Sequence, residues 1–184
     1  MKKRHFSLVD YIVMAMLAAC GIAIKTVVVP LAQMITGPLF IPGGVVAGGF
    51  YMLFLVLASA IVGKRGAALM VSLIQAVLVA ITGTLGSHGA ASIFTYSLSG
   101  LAVEIWLMLT RHHGCCAFCC FGAGVAANLA GSLAVNLAIF RLPLIPLLLS
   151  LSTAALSGGL GGLAANMVAR GLDKSGVVRT SGGM

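Results

Sequence analysis

Long apolar runs alternate along the chain with short clusters of glycine, proline and charge. A helix that crosses a bilayer needs about 20 consecutive, mostly apolar residues. Runs of that kind fall at about Leu8–Val29, Gly44–Val62, Ala67–Thr84, Ala91–Thr110, Ala117–Phe140 and Leu144–Ala169. Between them, Gly63-Lys64-Arg65-Gly66 reads as a tight turn and Arg141-Leu-Pro-Leu-Ile-Pro146 as a loop. The pattern predicts an all-α, polytopic membrane protein with six transmembrane helices. They form a single membrane domain over residues 1–169, followed by a basic, glycine-rich tail over 170–184. The first run is too long for a signal peptide's apolar core and lacks a persuasive cleavage site, so it counts as a helix.

One stretch interrupts this rhythm. Ile35 to Gly49 carries two prolines and five glycines between two apolar runs, a composition that cannot continue a helix comfortably. In hydrocarbon, broken backbone is tolerated only where protein buries it or where it lines a cavity. Thr36 to Gly44 is therefore expected to form an irregular, hinge-like outer loop over or beside a pocket, with Phe40 inside it; a plain turn between two spans is the competing reading.

Composition removes the soluble alternatives. The chain is 60% hydrophobic and 8% charged, with a mean hydropathy of +1.15, values that soluble domains do not reach. Charge then orients it. Lys2, Lys3, Arg4, Lys64, Arg65, Arg111, Arg170, Lys174 and Arg179 fall on the side of the N-terminus, against Lys25 and Arg141 on the other. By the positive-inside rule both termini are expected in the cytoplasm. The net charge of +8 then reflects topology and attraction to an anionic lipid bilayer, and calls for no nucleic-acid partner.

The polar positions inside the spans are the candidate chemistry. In helix 1, Ala15, Ala19 and Ala23 recur at every fourth position, a small-residue stripe that lets another helix approach, within the chain or from a partner. Lys25 is expected to snorkel to water at the outer end. Ser72 and Gln75 share a face of helix 3, and the Gln75 amide is expected to bond a neighbouring helix. In helix 5, Asn128, Ser132 and Asn136 form a stripe too costly to face lipid, and hence the best candidate binding surface. Facing and depth add Thr36, Phe40, His88, Thr95, Tyr96, Ser99, Ser150 and Thr153 to the candidate substrate site; for His88, in an outer loop, the plainer reading of a solvated side chain ranks first. Glu104 is the acid furthest inside a span. Its position in the cytoplasmic half favours a structural or coupling role, paired with Arg65 or Arg111, over substrate contact.

Arg111 to Cys120 gathers two histidines and four cysteines. Cys115, Cys116, Cys119 and Cys120 have the chemistry of soft-metal ligands. Adjacent cysteines strain a tetrahedral shell, however, and cysteine also packs as a small apolar residue or carries lipid, so no metal is assigned. A disulfide framework is not expected in a reducing compartment. No cofactor is expected.

Three strings carry a family resemblance: Lys64-Arg-Gly-Ala-Ala-Leu69; Gly100-Leu-Ala-Val-Glu104 through Leu109-Thr-Arg111; and Ser157-Gly-Gly-Leu-Gly-Gly-Leu with Ser175-Gly-Val-Val178. Together with six short spans, the alanine stripe and the broken outer connection, they resemble S-components, the substrate-binding membrane subunits of energy-coupling factor (ECF) vitamin transporters. The closest branch is the YkoE type, linked to thiamine or its hydroxymethylpyrimidine precursor. The resemblance implies an ABC-type importer subunit in a prokaryotic plasma membrane, not an enzyme. It implies an outward-facing pocket for a small-molecule vitamin or precursor, and coupling through Ala15, Ala19 and Ala23 to a membrane scaffold subunit and two ATPase subunits. The chain has no phosphate-binding loop of its own. There is one departure: YkoE-type chains look acidic in helix 3, where this chain reads Ser72-Leu-Ile-Gln-Ala-Val-Leu-Val79. A neutral, carboxylate-bearing or phosphate-bearing precursor is as compatible as thiamine. An autonomous carrier or channel is the alternative, and an intramembrane enzyme ranks below it because no histidine lies deep in a span and the acids are solitary.

Overall fold

The computed structural model describes residues 6–39, 41–83, 91–111 and 116–176. Helices α1 (Leu8–Thr36), α2 (Gly43–Val62), α3 (Ala67–Thr82), α4 (Ala91–Thr110), α5 (Ala117–Val135) and α6 (Leu144–Lys174) account for almost all of them. Five are long and apolar enough to cross a membrane; α3, at 16 residues, is shorter. The fold is all-helical and multi-pass. Neighbour pairs α1–α2, α2–α6, α6–α5, α5–α4, α4–α3 and α3–α1 close a ring, and α2 also packs against α3 and α5. The apolar core accordingly gathers around α2 residues such as Leu55, Val56 and Ala58.

Both described chain ends lie on one face. There the Ser7 amide donates to Asp10 Oδ2 at 2.6 Å and Ser7 Oγ accepts from the Asp10 amide at 3.3 Å, a reciprocal cap on α1. Asp10 also pairs with Lys64, tying the start of α1 to the α2–α3 turn. Glu104 sits 8% exposed, and its Oε1 accepts from the Ala68 amide at 3.0 Å. The carboxylate thus takes up one of the amides opening α3, and among the described residues it makes no ion pair with Arg65 or Arg111. Trp106 Nε1 donates to Cys119 O at 3.1 Å, joining α4 to α5.

Four further expectations are corrected. Helix 1 was placed as far as Val29, yet α1 runs through Pro30 to Thr36. A proline removes one amide and one hydrogen bond, while the backbone beyond it still has no better partner in hydrocarbon than its own helix. The irregular loop contracts with it. Gly37–Leu39 is one 3-10 turn and α2 opens at Gly43; Phe40 lies outside the described residues. A Cβ on Gly43 would stand 2.5 Å from the Gln33 backbone nitrogen, and the Gly43 amide donates to Gln33 Oε1 at 2.5 Å, so the two helix ends press together. Gln75 is fully buried against Gly21 of α1, and neither of its amide atoms has a hydrogen-bond partner among the described residues. Finally, α6 continues through Lys174, past the expected start of the tail at Arg170.

The centre is packed backbone to backbone. A Cβ on Gly161 would strike the Gly49 carbonyl, and one on Gly124 the Gly158 carbonyl. Ser157 Oγ donates to Val46 O at 2.5 Å and accepts from the Gly49 amide at 2.9 Å. These contacts clamp α2, α5 and α6 together and set the walls of the space beside them.

Candidate functional site

Toward the face opposite the chain ends, five helices part around a cavity of about 140 Å³. The polar stripe of α5 supplies one wall: Asn128 at depth, then Ser132 and Asn136. Asn128 Nδ2 donates to Val45 O at 3.0 Å and to Ala154 O at 2.9 Å, so this side chain also stitches α2 and α6. Asn136 opens a π-helical turn ending at Phe140, and its Oδ1 accepts from the Leu142 amide at 3.3 Å. From α4 come Thr95, Tyr96 and Ser99, and from α6 Ser150. Pro42 and Leu142, in the connections at that face, also line the cavity.

Sequence reasoning missed the α1 wall. Lys25 does not snorkel; it is 4% exposed, lines the cavity, and holds its Nζ 5.1 Å from the centre of the Tyr96 ring, a cation–π arrangement. Gln33 and Val29 follow it along α1. Tyr51 of α2 also lines the cavity and donates from Oη to Gly44 O at 2.9 Å. Two lining hydroxyls, Tyr96 Oη and Ser150 Oγ, are buried without a hydrogen-bond partner among the described residues, a state buried polar groups rarely keep unless something fills the space beside them. Lys25 is the single charged residue in the described lining, which holds no His, Cys, Asp or Glu.

The remaining candidates lie elsewhere. Thr36 Oγ1 donates to Ala32 O at 2.9 Å and Ile41 O at 3.0 Å, closing the end of α1. Thr153 returns its hydroxyl to Leu149 O at 2.8 Å and does not line the cavity. His88 lies outside the described residues, as does Cys115. Ala15, Ala19 and Ala23 form an exposed line on α1, about 100° around the helix from the buried Met14, Ala18 and Ile22. Cys116 and Cys119 are joined by a disulfide across the first turn of α5, a local bridge contrary to the expectation of none, while Cys120 faces Asn166. Among the described residues no three metal-ligating side chains converge.

Residues 9–130, about two thirds of the chain, match the family described as the permease component of an ABC-type cobalt transport system. The chain belongs to that family. This permease family is a transport family, and membership agrees with the multi-pass membrane architecture. The permease's fold matches a solved structure described as the crystal structure of an S-component of an ECF transporter, with a TM-score of 0.79 and 21% identity over 94% of this chain and 88% of that one. No curated protein matches the chain significantly in sequence.

Proposed function

We propose that this permease is the substrate-binding S-component of an ECF importer. It would capture a small organic vitamin or cofactor precursor in the cavity and pass it inward with a membrane scaffold subunit and two ATPase subunits. The observation that carries the reading is the cavity itself: lined by five helices, and bordered by two buried hydroxyls without hydrogen-bond partners among the described residues. The distribution of Lys and Arg supports a cytoplasmic position for the face bearing the chain ends, which makes the cavity outward-facing. The bare alanine line on α1 supplies a surface of the kind membrane helices use to dock closely.

The cargo is taken as organic. The family description names cobalt, but a bare divalent ion of that series calls for imidazole, carboxylate or thiolate ligands, and the described lining offers none. Thiamine or its hydroxymethylpyrimidine precursor is the finer reading suggested by the resemblance. Lys25, with no carboxylate in the described lining, favours a neutral or anionic molecule over the thiazolium cation.

Affinity purification of the tagged protein from its own host, with Ala19→Trp in parallel, tests the assignment. The wild type should bring down scaffold and ATPase subunits; the variant should lose them and keep its bound small molecule. If neither form brings down a module, and the purified chain alone transports into liposomes, the protein is an autonomous carrier.

A further inference from the structure

Three groups on three helices face one cavity: the Lys25 ammonium from α1, the Tyr96 hydroxyl from α4 and the Ser150 hydroxyl from α6. Tyr96 and Ser150 are 7% and 4% exposed, and their oxygens have no hydrogen-bond partner among the described residues. With Nζ standing 5.1 Å from the Tyr96 ring centre, ammonium and phenol share one wall. An ammonium has only donors to offer, and a hydroxyl donates readily. Such a wall meets a ligand rich in acceptors. Size narrows the ligand further, because an apolar cavity of about 150 Å³ holds one benzene ring and this one measures about 140 Å³. The rest of the lining is mostly apolar, including Val29, Met52, Val135 and Leu147, which suits the ring body.

We propose that the cavity selects a single-ring organic anion, whose carboxylate or phosphate is engaged by Lys25 and the Tyr96 hydroxyl, with Ser150 taking a second polar group. This rests on reading the cavity as the cargo site. Charge-assisted hydrogen bonds are the strong ones, and exchanging an anion for its neutral isostere should cost about tenfold or more in affinity.

Calorimetry on the full chain in lipid nanodiscs, with benzoate, phenyl phosphate, benzamide and benzylammonium as probes, decides the matter. At least one anion should bind about tenfold tighter than benzamide, with benzylammonium weakest; whichever of benzoate and phenyl phosphate binds tighter identifies the head group. Lys25→Gln should level the series. Tyr96→Phe and Ser150→Ala should each weaken the preferred probe by about threefold to tenfold. The proposal falls if benzamide or benzylammonium equals both anions, if Lys25→Gln keeps the order, or if no probe binds. Where Lys25→Gln fails to fold, unchanged affinity of the preferred anion in Tyr96→Phe overturns it equally. Co-purification separates this from the broader assignment. A module retained by a protein that prefers benzylammonium sinks the anion and leaves the S-component reading standing. Anion preference in a chain that recruits no module does the reverse.

Discussion

Glu104 shows how a buried carboxylate inside a membrane span can be occupied without touching substrate. Its Oε1 accepts from the Ala68 amide, so it does for α3 what a capping side chain does within one helix. Removing a cap costs about 1 kcal/mol. Glu104→Ala should therefore lower thermal stability in detergent, whereas Glu104→Gln, which keeps an acceptor, should lie near the wild type. Equal damage from both would mean that the charge itself is used. Lys25 shows the opposite case, where position along the chain misled. With helix 1 ending at Val29, Lys25 stood about one turn from water. With α1 running to Thr36, it lies eleven residues from the end, about 16 Å at 1.5 Å per residue. The α5 stripe was legible because three polar side chains in a row cannot face lipid. That Asn128 also spends both its amide hydrogens on Val45 and Ala154 was not, since those carbonyls belong to segments distant in sequence. Ser132→Ala is consequently a cleaner probe of the cavity than Asn128→Leu, which would also cut two interhelical bonds.

At the scale of elements, the glycines of α6 report on packing. The run from Ser157 to Leu163 reads in sequence as a ridge nearly free of side chains, and the structure seats Gly161 against the Gly49 carbonyl and Gly158 against the Gly124 carbonyl. Gly161→Ala should push α2 and α6 apart and cost about 1–3 kcal/mol, the range for overpacking. Leu160→Ala, on the exposed side of the same turn, should leave the unfolding temperature almost unchanged. Equal effects would mean that the helices approach less closely than described. Helix boundaries were the weaker part of the sequence reading. Prolines and glycines between Gly37 and Gly44 signal a break, but its length is set by Gln33 and Gly43 closing on each other, a tertiary contact that composition does not encode.

For the whole molecule, six spans, an all-helical fold and a cavity toward the face opposite the chain ends follow from the alternation of apolar runs and polar stripes. The α1 wall of that cavity did not, because it depends on which face of α1 turns inward. The bundle is also uneven in height. At about 1.5 Å per residue, the 16 residues of α3 span about 24 Å, while the hydrocarbon core of a typical bilayer is about 30 Å thick. Leu73, Val77 and Ile81 turn that short helix outward. Lipids along this flank must compress or tilt to meet it, so the surrounding leaflet carries an elastic deformation that the other flanks lack. Thermal stability in vesicles should fall as acyl chains lengthen from dimyristoyl to dieicosenoyl lipids, and a flat response would show that the flank is shielded. The thickness of the host membrane is thereby a physical setting of this protein, acting through the lipid at α3.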